Sequence, residues 1–115
     1  MNILKVECLL GYNVYQLTED FVWLGTTVPK GFRTNFANIP RVAWTIINPV
    51  DCRIREASVL HDYLYSIISD DNHTRLEADL ILLEGMRVLG CDYFTRNLVY
   101  NVTRWFGSNY WKSSI

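Results

Sequence analysis

The sequence predicts an α+β fold in which a small antiparallel sheet or hairpin precedes a bundle of three main helices and one short helix. Short aromatic and β-branched runs alternate with turn-forming residues near the N-terminus, as is typical of strands. From about residue 53 onward, apolar residues recur every three or four positions, which is the helical period. A chain of 115 residues has the length of one domain. We therefore expect a single domain over residues 1–115, with a β-rich part at 1–30 and a helical part at 40–107.

Three short runs near the N-terminus have the composition of strands. Residues 12–17 and 21–24 are rich in aromatic and β-branched side chains, and the polar segment 18–20 between them predicts a hairpin turn. Residues 26–28 add a short third strand before Pro29. These runs predict the antiparallel part of the fold.

The rest of the chain reads as helical. Pro40 suits the first turn of a short helix that ends near residue 46. The main helices are predicted at 53–68, 75–89 and 92–105. The first of them is apolar on most sides, which predicts a central, buried helix.

The second and third main helices each carry an apolar stripe that we expect to face the core. The stripes consist of Leu76, Leu80, Leu83 and Met86 on one helix and of Phe94, Leu98, Val102 and Trp105 on the other. Asn72 or Thr74 is expected to cap the second helix, and Gly90 is expected to end it.

Charge and hydropathy exclude several functional classes. The chain has 11 basic and 12 acidic residues, a net charge of −1, and no concentration of basic residues, which argues against a general nucleic-acid binder. The same neutrality supplies no electrostatic reason to bind an anionic membrane. No apolar run reaches the roughly 18 residues of a bilayer span, and residues 1–10 are too short and too charged for the apolar core of a signal peptide.

The three cysteines predict neither a disulfide framework nor a zinc site. Cys8, Cys52 and Cys91 are an odd number and lie far apart in the sequence. We expect them to be reduced and to pack as small hydrophobic residues.

Two polar residues lie on helix faces that are otherwise apolar. His61 shares a face with Ile54 and Ala57, and Asp79 lies within the apolar stripe of the next helix. A buried carboxylate without a partner is costly, so Asp79 needs one. Antiparallel packing of the two helices would bring it to His61 or to the Tyr65 hydroxyl.

Such a pair suits a general base. A carboxylate on one imidazole nitrogen sets the tautomer and raises the basicity of the other nitrogen, which then activates water. Asp62 points about a quarter turn away from His61, so it can face an opening where a hard cation polarises a carbonyl oxygen. The spacing is therefore compatible with a metal-assisted ester hydrolase. From the spacing alone, a satisfied polar pair at a helix–helix contact is the more common explanation.

Arginines are the candidate partners for buried acids or for an anionic ligand. They are Arg33, Arg41, Arg55, Arg75, Arg96 and Arg104.

Four sequence blocks occur in the same order as in a known family. They are VPKGFRTNFANIPR at residues 28–41, His61-Asp62-x-Leu64-Tyr65, Arg75 with Ala78-Asp79 and Met86, and Phe106-Gly107 with Trp111. This pattern resembles a small phage and prophage family of domains of unknown function, whose first block ends in threonine-aspartate-x-alanine-serine-isoleucine-proline-arginine. The resemblance implies an accessory or virion-associated phage protein, found in the host cytoplasm or the virion. The resemblance implies no particular activity, because none is established for the family.

A second, local resemblance concerns the helix pair. His61-Asp62-x-x-Tyr65 followed by Asp79 is similar to the catalytic helices of phospholipases A2, most closely the short bacterial, fungal and parvoviral forms. The resemblance implies that His61 is the base that activates water, that Asp79 orients it, and that Tyr65 donates a hydrogen bond to Asp79. It also implies that Asp62 is a calcium ligand. Asn35 stands where the phage family has an aspartate, and an amide oxygen without the charge weakens divalent binding.

Three functions are therefore open from the sequence. The His–Asp pair organises a helical hairpin in a phage accessory protein, or it serves a calcium-assisted, phospholipase A2-like hydrolase of a phospholipid ester. In the third, the protein binds a phage or host protein through an exposed aromatic patch. The patch would consist of Trp105, Phe106, Tyr110 and Trp111.

Overall fold

The computed structural model describes residues 1–9, 14–34, 54–66 and 73–112. The chain divides into two compact units, residues 1–35 and 36–115. The first contains strands and the second contains helices, so the expected α+β class is confirmed. The short helix predicted at 40–46 lies outside the described residues, and the expectation of a single domain stays a prediction.

The described residues of the first unit form short antiparallel strands. They are β1 (Val6–Cys8), β2 (Tyr15–Leu17), β3 (Phe21–Trp23), β4 (Thr26–Val28) and β5 (Arg33–Thr34). One sheet has the order β1-β2-β5, and β3 and β4 form a separate two-stranded ribbon. The prediction of strands at 21–24 and 26–28 is confirmed, whereas the sequence reasoning did not identify β1 or β5.

The predicted hairpin turn at residues 18–20 is wrong, because β2 does not pair with β3. The turn in the ribbon is instead Leu24-Gly25, between the paired residues Trp23 and Thr26. Both turn residues have positive φ, 49° at Leu24 and 77° at Gly25. This is the conformation of the two-residue turns that match strand twist. Leucine is an unusual residue for it, which is why composition pointed to the polar segment.

The described residues of the second unit form three helices and one 3₁₀ helix. They are α1 (Arg55–Tyr65), α2 (Arg75–Val88), α3 (Tyr93–Phe106) and the 3₁₀ helix Gly107–Tyr110. Helix α2 packs against both α1 and α3. Every residue of α1 from Ala57 to Tyr65 is buried, which confirms the predicted central helix. Among the described residues, no helix has both the length and the apolarity to cross a bilayer.

Local sequence signals set the ends of α2 and the start of α3. Thr74 and Glu77 form a capping box, in which the Thr74 hydroxyl accepts the Glu77 N–H at 3.1 Å and Glu77 Oε1 accepts the Thr74 N–H at 3.2 Å. Gly90 ends the turn after α2 with φ 88°. The Asp92 carboxylate caps α3 by accepting the Thr95 N–H at 3.1 Å.

The apolar stripes predicted to face the core are largely on the outside. Leu76 and Leu80 are 46% and 45% exposed, and Phe94 and Trp105 are more exposed still. The buried face of α2 consists of Ala78, Asp79, Leu82, Gly85 and Met86, and that of α3 consists of Val99, Val102 and Thr103. That buried face is centred near Leu82, and at about 100° per residue Leu76 and Leu80 lie about 120° and 160° around the helix from it. Both leucines are therefore turned outward.

The cysteines are not all reduced. Cys91 is buried and disulfide-bonded, and its partner lies outside the described residues. Cys8 is an exposed thiol. The expectation of three reduced cysteines is therefore wrong, because separation in the sequence carries no information about separation in space.

Candidate functional site

Helices α1 and α2 bring His61, Tyr65 and Asp79 together in the interior of the second unit. All three side chains are fully buried. His61 Nε2 lies 2.8 Å from Asp79 Oδ1, and the Tyr65 hydroxyl donates to the same oxygen at 2.5 Å. His61 and Tyr65 are one helical turn apart and therefore share a face of α1. Asp79 therefore contacts both His61 and Tyr65. The catalytic roles of these residues stay predictions.

The second carboxylate oxygen of Asp79 is held by arginines. Arg104 Nη1 of α3 donates to Oδ2 at 2.7 Å, and Arg75 Nη1 of α2 lies at 3.5 Å from it. The two oxygens thus have separate partners, with the imidazole and phenol on Oδ1 and the guanidinium groups on Oδ2. The sequence named both arginines among six possible partners and had no means of selecting them, because α3 approaches Asp79 only in the folded chain.

These contacts determine the ionisation of the cluster. Burial alone would raise the pKa of Asp79, but hydrogen bonds from His61, Tyr65 and Arg104 outweigh it and hold the pKa below its ordinary value of 3.8. Burial raises the pKa of Tyr65 far above its ordinary value, and the hydrogen bond to the Asp79 anion raises it further. At neutral pH, Asp79 is therefore a carboxylate and Tyr65 a neutral donor.

Arg75 also links α2 to the end of α3. Its Nη2 donates to the carbonyl of Arg104 at 3.0 Å, and its Nη1 lies 3.4 Å from the carbonyl of Thr103. The Thr103 carbonyl also accepts the Gly107 N–H, and a guanidinium group at the C-terminal end of a helix adds donors where the last carbonyls lack them. The cluster therefore joins all three helices.

Gly107 borders the cluster, although the sequence analysis named it only as part of the fourth sequence block. A Cβ atom at this position would lie 2.9 Å from the Tyr65 hydroxyl and 3.2 Å from Arg75 Nη1. Its φ of −74° is open to any residue. Space, not backbone conformation, therefore requires glycine here.

The predicted aromatic patch is divided between two environments. Trp111 is half-buried and packs edge-on against Tyr65, with ring centroids 5.2 Å apart, and against His73 at 5.6 Å. His73 in turn lies 2.7 Å from the Leu64 carbonyl through its Nε2. Trp105 and Phe106 are exposed, and the side chain of Tyr110 lies outside the described part.

The metal-binding residues expected from the sequence are not brought together within the described residues. Asp62 is fully buried, whereas the sequence predicted that it faces an opening. Asn35 lies outside the described residues. Within the described ranges, no group of three His, Cys, Asp or Glu side chains could hold a metal ion. Calcium takes six to eight oxygen ligands, so the described residues alone do not fit it, and calcium binding stays a prediction.

One imidazole nitrogen of the cluster has no hydrogen-bond partner among the described residues. His61 Nδ1 is buried, and no described residue forms a hydrogen bond with it. Buried polar atoms in this state are uncommon and call for a physical explanation. With Nε2 engaged by a carboxylate, Nδ1 is the position at which this imidazole can accept a proton.

Replacing Asp79 by asparagine tests the importance of its charge. The two guanidinium groups would then face a neutral amide, so we expect the free energy of unfolding at pH 7 to fall by about 2–4 kcal/mol in urea denaturation. Asp92→Asn is the matched control, because asparagine caps a helix as well as aspartate does. A loss no larger than that of the control would show that the charge is not important for stability.

The same variant predicts a pH dependence. Because the folded-state pKa of Asp79 is lowered, its stabilisation is present at neutral pH and is lost as the pH falls through that pKa. The stability difference between the wild type and Asp79→Asn should therefore shrink as the pH falls below 3.8. A difference that stays constant down to the acid transition would contradict this assignment.

Gly107→Ala tests the close approach to Tyr65. Because Tyr65 is fully buried and its ring is rigid, we expect a loss of about 1–3 kcal/mol in unfolding free energy. The loss should be smaller when Tyr65→Phe removes the hydroxyl, which a double-mutant cycle measures. Strictly additive effects would mean that Gly107 and the hydroxyl are not coupled.

Comparison with known proteins identifies a matching family. The family model described as "Protein of unknown function (DUF1353)" matches residues 12–102. No curated protein and no solved structure matches the chain significantly. The matched segment covers most of the 115 residues and includes β2 to β5, α1, α2 and most of α3. The chain therefore belongs to the DUF1353 family of proteins of unknown function.

Proposed function

We propose that this protein is a hydrolase in which His61 is the general base that activates water. The observation that carries the proposal is the state of its imidazole. Nε2 is held by the Asp79 carboxylate at 2.8 Å, whereas Nδ1 has no partner among the described residues. His73 Nδ1 is likewise buried without a described partner, but its Nε2 faces a backbone carbonyl, whereas that of His61 faces a carboxylate.

The protonation states follow from the partners. Asp79 accepts hydrogen bonds only, because its lowered pKa keeps it ionised. Nε2 must therefore carry the proton, and the lone pair of the neutral imidazole lies on Nδ1. When the imidazole gains a second proton, at Nδ1, the adjacent carboxylate stabilises the imidazolium. Tyr65 and Arg104 keep this carboxylate in place.

The reaction that such a base supports is the hydrolysis of an ester. The oxygen of water forms a bond to the ester carbonyl carbon while its proton passes to His61 Nδ1. The tetrahedral intermediate then breaks the bond to the leaving oxygen, which receives the proton back from Nδ1. The products are one carboxylic acid and one alcohol, and base assistance of this kind contributes about 10²–10⁴-fold to the rate.

The proposed substrate is the acyl ester of a phospholipid. The support is the resemblance of His61-Asp62-x-x-Tyr65 and Asp79 to the catalytic helices of phospholipases A2, together with the contacts that Asp79 makes. Asp62 would have the calcium role in that comparison, but no step above depends on a metal ion. Because His61 is fully buried, a substrate must displace the groups that cover Nδ1.

His61→Gln is the direct test. Glutamine can still donate to Asp79 but is not a base, so release of fatty acid from phosphatidylglycerol vesicles should fall by about 10²–10⁴-fold. The assay is run with calcium and with a chelator, and circular dichroism checks the fold. His73→Gln is the matched control, because it removes the only other histidine and leaves the base in place.

Two outcomes would refute the hydrolase proposal. Fatty acid release that is unchanged in His61→Gln would exclude this residue as the base. A wild-type protein that releases none, with or without calcium, would leave the cluster with a structural function. The contacts of both arginines with Asp79 favour that second candidate, in which the buried His–Asp pair organises the helices of an accessory protein.

We also infer a phage or prophage origin, in which the protein is virion-associated or acts in the host. The four ordered sequence blocks support this inference. Detection of the protein by mass spectrometry in purified virions would support association with the virion. Its absence from virions would favour action in the infected cell, where the partner would be a phage or host protein.

A further inference from the structure

Helix α1 carries a buried hydroxyl group one turn before His61. The side chain of Ser58 is fully buried, and its Oγ forms no hydrogen bond with a described residue. The backbone of Ser58 is satisfied, because its N–H donates to the Ile54 carbonyl at 2.8 Å. A buried hydroxyl without a partner is destabilising, and alanine has the higher helix propensity. Packing and helix formation therefore do not account for serine at this position.

Ser58 lies on the same face of α1 as His61 and Tyr65. The three residues occupy positions i, i+3 and i+7 of the helix. Residues three apart on a helix have Cβ atoms about 5–6 Å from each other. Because side chains on a helix lean toward its N-terminus, the His61 side chain leans toward the turn that contains Ser58.

Two sides of the His61 imidazole already have partners. Nε2 lies 2.8 Å from Asp79 Oδ1, and the Tyr65 ring packs against the imidazole with the centroids 4.1 Å apart. Nδ1, the ring nitrogen nearer to the backbone of α1, has no hydrogen-bond partner among the described residues. Ser58 Oγ and His61 Nδ1 are therefore two buried polar atoms on one helix face, and both lack a described partner.

The spacing of these two atoms suits one bridging water molecule. Ser58 Oγ and His61 Nδ1 form no hydrogen bond with each other, and polar groups somewhat too far apart for a direct bond are commonly joined by water. Buried waters typically form two to four hydrogen bonds to polar groups that the protein leaves unsatisfied. Here the lone pair of the neutral imidazole on Nδ1 would accept one O–H of the water, and Ser58 Oγ would accept the other.

We propose that Ser58 Oγ and His61 Nδ1 hold one water molecule between them, and that this water attacks the ester. Its role as the nucleophile rests on the hydrolase proposal, whereas the site itself does not. With both O–H groups engaged, the water directs its lone pairs away from the helix face. As its oxygen bonds to the carbonyl carbon, one proton passes to Nδ1. Ser58 keeps its own proton and positions the nucleophile without being acylated.

A high-resolution crystal structure of the full chain tests the site. We expect one ordered water within about 3 Å of both Ser58 Oγ and His61 Nδ1. Ser58→Ala should remove this water or shift it, because one of its two partners is lost. Thr103→Val is the matched control, since it removes another buried hydroxyl without a described partner and should leave the water in place. A wild-type structure without water between the two atoms would overturn the proposal.

Release of fatty acid from phosphatidylglycerol vesicles tests the role of this water. Ser58→Ala should lower kcat by about ten- to a hundredfold with KM nearly unchanged, because a misplaced nucleophile slows the chemical step and not substrate binding. Thr103→Val should keep both constants. A change in KM alone would contradict a function of Ser58 in the chemical step.

The outcomes separate this inference from the hydrolase proposal and from a serine nucleophile. Full kcat in Ser58→Ala together with loss of activity in His61→Gln would overturn the role of Ser58 and leave His61 as the base. The bridging water in a protein that releases no fatty acid would support the site and refute the hydrolase. An acyl adduct on Ser58, detected by mass spectrometry of the quenched reaction, would make Ser58 the nucleophile and overturn the positioning role.

Discussion

The buried negative charge of Asp79 is the constraint on which the helical unit depends. An ionised carboxylate away from water is tolerated only when its charge is matched and both oxygens are hydrogen-bonded. Here His61 and Tyr65 serve one oxygen and the two arginines serve the other. Each of the three helices supplies at least one partner. The packing of α1, α2 and α3 is therefore arranged around one charge as much as around an apolar core.

This arrangement explains which parts of the fold were predictable from the sequence. Helix positions followed from local signals, since the capping box at Thr74 and the turn at Gly90 lie within the segments they delimit. The contact of Asp79 was predictable because a buried carboxylate needs a partner. The rotation of α2 about its own axis was not predictable, since the spacing of Leu76 and Leu80 is equally compatible with a face toward solvent.

The remaining failures have two physical causes. The Leu24-Gly25 turn depends on backbone angles that leucine seldom adopts, and β1 and β5 exist only through pairing with a distant strand. The selection of Arg104 and the spatial requirement at Gly107 depend on the approach of α3, some 25 residues from Asp79. For the strands, Arg104 and Gly107, the determining neighbour is remote in sequence, so composition and periodicity carry no record of it.

The links from Arg75 to the carbonyls at the end of α3 have a consequence for how the helical unit unfolds. Helix termini usually open by themselves at little cost in free energy. Here, unwinding the last turn of α3 would remove the Arg104 contact with Asp79 and the two carbonyl partners of Arg75 at once. Fraying of this terminus is therefore coupled to exposure of the central charge. We therefore expect the three helices to unfold as one cooperative unit, with amide protons near the end of α3 protected almost as well as those of the central helix.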